Sequence, residues 1–155
     1  MAEIPITFRA ATRDDLDTII GMLADDPLGA ARETAAVPIL PAYDDAFEAI
    51  AADPNNELIV AEFGGEIIAV LQLTFIPYLT YRGSWRALIE GVRVASAYRS
   101  QGIGHQLFAY AIARARARNC ILLQLTSDKA RPDAIRFYEK LGFVASHEGL
   151  KLHLG

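Results

Sequence analysis

The 155-residue chain predicts a single α/β (mixed α+β) domain, with a mixed, mostly antiparallel sheet of about seven strands and about four helices on both faces. Three observations carry this. Two apolar, β-branched runs, 57–63 and 66–75, flank Gly64-Gly65, the mark of a tight hairpin. Residues 88–94 read as a strand and pass through a short loop into a helix, whose apolar residues recur at 103, 107, 108, 111, 112 and 115. Ile121-Leu122-Leu123-Gln124-Leu125 is a nearly continuous apolar run, as a buried strand is, and another helix follows it. Hairpins first and crossover units later give a sheet of mixed direction.

Each element has its own local reason. Residues 4–10 alternate around Ile6 and Phe8 and read as the first strand. Thr12 is placed to cap a helix, and Asp14 and Asp15 suit its positive end. Leu16, Ile19, Ile20 and Leu23 form the apolar face of that helix, and Asp25-Asp26-Pro27 ends it. Residues 27–43, with Pro38 and Pro41 around Ile39-Leu40, read as an irregular connection. Residues 44–52 read as a short helix, stopped by Asp53-Pro54-Asn55-Asn56. Pro77 closes the hairpin's second strand, and residues 76–85 form an aromatic loop holding Tyr78, Tyr81 and Trp85. The next helix runs to about Asn119, and residues 120–126 make the buried strand. Pro132 suits a first helical position, Ala134, Phe137, Tyr138 and Leu141 share one face, and Gly142 stops the helix. Residues 143–146 and 150–154 are expected to pair as terminal strands around Glu148-Gly149.

Composition narrows the function. A net charge of −4 gives no electrostatic footprint for nucleic acid. The lone cysteine, Cys120, allows no internal disulfide and suits a reducing cytoplasm. No apolar run approaches the roughly 20 residues of a membrane span, and the start of the chain, with Glu3 and Pro5, shows no secretory leader. No His, Cys or carboxylate spacing suggests a metal; His147 and His153 stand alone. Arg114, Arg116 and Arg118 are spaced by two and make no helical stripe, but cations suit a helix C-terminus.

The chemistry concentrates in Arg99-Ser100-Gln101-Gly102-Ile103-Gly104-His105. The first N–H groups of a helix lack internal partners, and the helix dipole adds partial positive charge there. Glycine lets an anion reach that backbone without meeting a Cβ, and Arg99 can add a cation beside it. A diphosphate is the expected ligand. The dinucleotide fingerprint fails because its third glycine is missing, with Leu107 at that place, and the P-loop fails because Gly-Lys-Ser/Thr is absent.

Two motifs then agree. Arg-x-x-Gly-x-Gly, residues 99–104, follows a strand ending Val92-Arg93-Val94. Ala134-Ile135-Arg136-Phe137-Tyr138-Glu139-Lys140-Leu141-Gly142-Phe143 follows the buried strand. In this order they resemble the coenzyme loop and the C-terminal Ala-Ile-x-x-Tyr-x-x-x-Gly-Phe signature of the GNAT-type N-acetyltransferases. The element order is similar to the GNAT fold from about Ile6 onward.

The resemblance implies transfer of an acetyl group from acetyl-CoA to a primary amine by direct attack in a ternary complex, with no metal. It places the coenzyme against Val92, Arg93 and Val94 through their main chain, and against Arg99, Ser100, Gln101, Gly102, Ile103, Gly104 and His105 at the diphosphate. It places Arg131 beside the pantetheine arm, where the family often has Asn. The reaction needs a deprotonated amine, since a protonated one with pKa of about 10 is no nucleophile. Glu90 is the candidate base, read on one strand face with Leu88, Val92 and Val94, or else a structural ion pair with Arg86 or another basic residue. Tyr138 is the candidate acid for the departing thiolate, or else a core aromatic. The acceptor region falls to residues 27–43 and to the aromatic loop, whose rings would wall an amine or bury a homodimer interface. A small-molecule amine is favoured over a protein or peptide acceptor, since nothing suggests a peptide groove. An acyl-CoA sensor without turnover is the alternative.

Overall fold

Five strands pair in sequential order: β1 (Thr7–Ala10), β2 (Asn56–Phe63), β3 (Glu66–Pro77), β4 (Trp85–Val94) and β5 (Cys120–Leu125). The computed structural model describes residues 4–155; Met1, Ala2 and Glu3 lie outside the described residues. The first three pairings are antiparallel and β4–β5 is parallel. Gly64 and Gly65, both at positive φ (58° and 82°), close the β2–β3 hairpin, as the sequence predicts.

Helices cover both faces. α1 (Leu16–Ala24), α2 (Pro27–Arg32) and α3 (Pro41–Ala52) precede the hairpin, α4 (Thr80–Gly83) is one turn between β3 and β4, and α5 (Ile103–Ala117) and α6 (Pro132–Lys140) flank β5. Leu16, Ile19, Ile20 and Met22 of α1 pack on Val60 and Val70 from one side of the sheet. Ile103, Leu107, Phe108, Ala111 and Ala115 of α5 pack on Ala69, Leu71, Leu73, Ala87 and Ile89 from the other. Burial of the larger of these side chains, about 1.5–3 kcal/mol for each Val, Leu, Ile, Phe or Met, welds the two helical layers to the sheet.

Among the described residues the expected seven strands and four helices are five strands and six α-helices. α2 lies within the stretch expected to be irregular. Its six residues are too few to show an apolar period, but Pro27 takes the first helical position and the Asp26 carboxylate accepts from the Gly29 amide. Gly29 itself answers a close approach, since a Cβ there would lie 1.9 Å from the Leu23 carbonyl oxygen. α3 begins at Pro41, three residues earlier than the periodicity suggests, for the same first-turn reason. α4 contains Tyr81 and Arg82 in the left-handed region (φ 52° and 61°), and the Arg86 guanidinium lies over the rings of Tyr78 and Tyr81 at 4.2 and 4.9 Å.

The terminal strand pair is absent: among residues 143–155 none is in a strand. Phe143 packs against Phe108 in the core, but Val144, Leu150, Leu152 and Leu154 are 81–94% exposed. Alternation states which side chains share a face; it does not supply the neighbouring strand that a ladder needs.

One irregularity sets the site. β3 pairs Val70 with Arg93 but Gln72 with Glu90, so β4 carries one extra residue. Gly91 (φ 63°) is the left-handed residue of this bulge. Side-chain parity therefore flips at Gly91. Ala87 and Ile89 enter the α5 side before it, Val92 and Val94 after it. Glu90 does not share a face with Val92 and Val94, contrary to the simple alternation. It faces the α1 side with Arg93, opposite Gln72, and is exposed.

Candidate active site

β4 and β5 part company inside the sheet. Their last pairing is Ile89↔Leu125, while β4 runs on to Val94, held only by β3. Residues 90–94 thus leave one edge of β4 open, with main-chain donors and acceptors available to an extended ligand. The slot points toward the loop of residues 95–102. There Ser100 (φ 62°) and Gly102 (φ 81°) are left-handed, and α5 starts without a side-chain cap. A Cβ on Gly102 would meet nothing within 4 Å, so the ground above this loop is clear. An uncapped first turn of a fifteen-residue helix beside an open left-handed glycine fits a diphosphate.

The other loop residues have definite places. Ile103 is buried in the core. Gly104 has a packing reason of its own, because a Cβ would lie 3.1 Å from the Phe137 ring. The His105 ring packs edge-on against Phe137 at 5.3 Å, so His105 offers the loop its backbone. The Gln101 amide donates to the Ala97 carbonyl at 3.1 Å. Arg99 donates to the Val94 carbonyl at 3.2 Å and its guanidinium lies 3.6 Å from the Asp25 carboxylate.

At the other end of the slot α6 leans on α5. Tyr138 stands in an aromatic cluster with Phe108, Phe137 and Phe143, its ring centroid 5.5, 5.6 and 6.1 Å from theirs. Burial raises the pKa of its phenol, and the charges of Arg93 and Arg131 pull it back in part. Arg131, the residue before α6, places Nη1 2.9 Å from Asp26, and Arg93 Nε lies 3.4 Å from the same carboxylate. Arg93 also donates to the Val92 carbonyl at 2.8 Å. Burial, then repulsion from Arg131, pushes the Arg93 pKa down. Burial alone would raise that of Asp26; the Gly29 amide and Arg131 outweigh it and hold the carboxyl below its ordinary value.

The structure therefore brings Tyr138, Arg93 and Arg131 together and adds Asp26, which sequence reasoning missed. Asp26-Pro27 was visible only as a helix stop; as a cap–first-residue pair it marks the start of α2. The alternative reading of Glu90, an ion pair with Arg86, is not seen among the described residues, and Arg86 instead donates to the Thr80 hydroxyl at 3.3 Å. Tyr78 and Tyr81 are occupied by Arg86, which leaves them no free cation-binding face on that side. No group of three or more His, Cys, Asp or Glu is placed to hold a metal among the described residues.

Residues 15–143 match the model of the acetyltransferase (GNAT) family. The chain is 33% identical over 106 residues, 68% of each protein, to the aminoalkylphosphonate N-acetyltransferase of Salmonella typhimurium strain LT2. It is similar to a crystal structure described as a transcriptional regulator from Bacillus halodurans C-125, with 60% identity and a TM-score of 0.94 over 97% of this chain and 100% of that one. A Clostridium acetobutylicum structure with acetyl-CoA, 21% identical, shares the fold with a TM-score of 0.74 over 97% of both chains.

Proposed function

This chain belongs to the GNAT acetyltransferase family and is an acetyl-CoA-dependent acyltransferase, and from that membership we propose that it acetylates the primary amine of a small molecule by direct attack in a ternary complex. The observation that carries the reading is the slot itself: an open β4 edge, leading from an uncapped helix start to a half-buried phenol. The whole chain, residues 1–155, is read as one such domain, working in the cytoplasm. No helix among the described residues is long and apolar enough to cross a membrane.

Bound acetyl-CoA supplies an activated acyl carbon. The first-turn amides of Ile103, Gly104 and His105, with Ser100, Gln101, Gly102 and Arg99 around them, hold its diphosphate. The main chain of Val92, Arg93 and Val94 pairs with the extended arm, and Arg131 flanks that arm. A backbone N–H from the open edge faces the oxygen on which charge develops. Glu90, on the α1 face with Arg93, receives the amine proton directly or through water. Tyr138 keeps its proton at neutral pH because burial raises its pKa, and so can give it to the departing sulfur.

The test is release of free thiol from acetyl-CoA in the presence of a panel of small amines. We expect amine-dependent release with at least one member and a stoichiometric N-acetyl product by mass spectrometry. Coenzyme binding without release for any amine would instead support the sensor reading, which the name of the Bacillus halodurans relative favours.

A homodimer is part of the proposal. The outer edge of β5 is unpaired, Ile121 is 61% exposed, and a shallow groove runs beside it, lined by Ile112, Ala115, Cys120, Leu122 and Leu123. An apolar open edge is a pairing hazard. Residues 150–154, which form no strand within the chain, carry exposed alternating leucines of complementary pattern. Two copies that exchange these segments satisfy both surfaces under two-fold symmetry. Sedimentation should give twice the 16.9 kDa chain mass, and removal of residues 150–155 should return the monomer. A monomeric full-length chain rejects the exchange.

A further inference from the structure

We infer that Arg93 and Arg131 form an oxyanion subsite for the acceptor, so that the amine acetylated here carries a phosphonate, phosphate or carboxylate group. The inference rests on the acetyltransferase reading above and names the substrate class of that site. Two guanidiniums converge on the single carboxylate of Asp26. The Gly29 amide engages Asp26 Oδ1 in the cap of α2, so both guanidiniums share the one remaining oxygen, Oδ2. Arg131 Nη2 is buried without a hydrogen-bond partner among the described residues, and Arg93 Nε has only the long 3.4 Å ion contact with Asp26 and no hydrogen bond. Unpaired buried donors on charged groups are costly, and like charges side by side more so. The cluster has one cation too many for its carboxylate.

The coenzyme does not account for this surplus. Its phosphates belong at the start of α5, where Arg99 and the loop amides lie. The end of the coenzyme that reaches Tyr138 is an uncharged thioester arm. The cluster stands at that reacting end, on the α1 face of β4. A small oxyanion on the acceptor is the ligand whose charge fits there, and guanidinium recognises phosphonate and carboxylate through paired N–H donors. The acceptor of the Salmonella typhimurium relative is of this class.

The experiment compares 2-aminoethylphosphonate, β-alanine and 2-aminoethanol as acceptors by thiol release, with kcat/KM expressed per free amine. It includes Arg93→Met and Arg131→Gln, whose folds are checked by circular dichroism and a thermal melt. In the wild type the phosphonate should exceed the neutral alcohol by at least about tenfold, with β-alanine between them. Both variants should bring that ratio toward one, mainly through KM. A wild-type ratio near one, or a ratio that both variants leave unchanged, overturns the subsite. Calorimetric titration of 2-aminoethylphosphonate into the coenzyme complex separates this from the failure of catalysis. Arginine-dependent binding without thiol release keeps the subsite and removes the enzymatic reading. Arginine-independent binding, or none, removes the subsite.

Discussion

Tyr138→Phe should lower kcat by about 10²–10⁴-fold, the usual worth of a general acid. The KM for acetyl-CoA should stay within about threefold, as for a group that acts only in the transition state. The variant isolates the proton, because Phe108, Phe137 and Phe143 hold the ring from several sides and a phenyl ring fills the same place. Two opposing influences tune the phenol. Burial raises its pKa and keeps it protonated at neutral pH, while the charges of Arg93 and Arg131 oppose that rise only in part. Steady-state kinetics with a thiol reagent read the effect, and a thermal melt excludes unfolding. Undiminished turnover would mean that Tyr138 is only a packing residue.

Gly102→Glu should weaken acetyl-CoA binding by at least about 10²-fold, since a like charge beside an anion costs several kcal/mol. The left-handed φ of 81° adds strain of roughly 1–2 kcal/mol for any side chain. Open space around the position means that the glutamate can be accommodated without unfolding the helix start. Gly102→Ala separates the two contributions, for it carries the strain without the charge. Calorimetry measures both variants and circular dichroism checks their folds. Tight coenzyme binding by the glutamate variant would empty the loop of its assigned role. Gly104 is unsuited to this test, because a Cβ there presses on Phe137 and disturbs the seat of α6.

Local chemistry was readable from the sequence, and register was not. The Gly64-Gly65 turn, the start of α5 and the Pro132 start of α6 appear as expected because each rests on a few adjacent residues. Glu90 was assigned to the wrong face because its parity depends on how β3 opposes Gly91, a relation between distant segments. Leu150, Leu152 and Leu154 alternate as a strand does, yet the sequence cannot say what lies beside them. The meeting of Asp26, Arg93 and Arg131 joins a helix cap, a strand and a second helix start, and no spacing in the chain announces it. Gly104 was legible as a residue of the loop, but its packing against Phe137 needed the helices docked.

The supernumerary residue at Gly91 makes the length of this part of the chain a fixed quantity. A deletion of a single codon there would invert every side chain from Val92 to the loop, sending valines outward and Arg93 into the apolar layer. The turn at Gly64-Gly65, by contrast, only joins two strand ends and can grow or shrink locally. Genetic drift in length is thus open at one hairpin and closed at the next, so the lineage can explore new acceptors by substitution here but not by insertion.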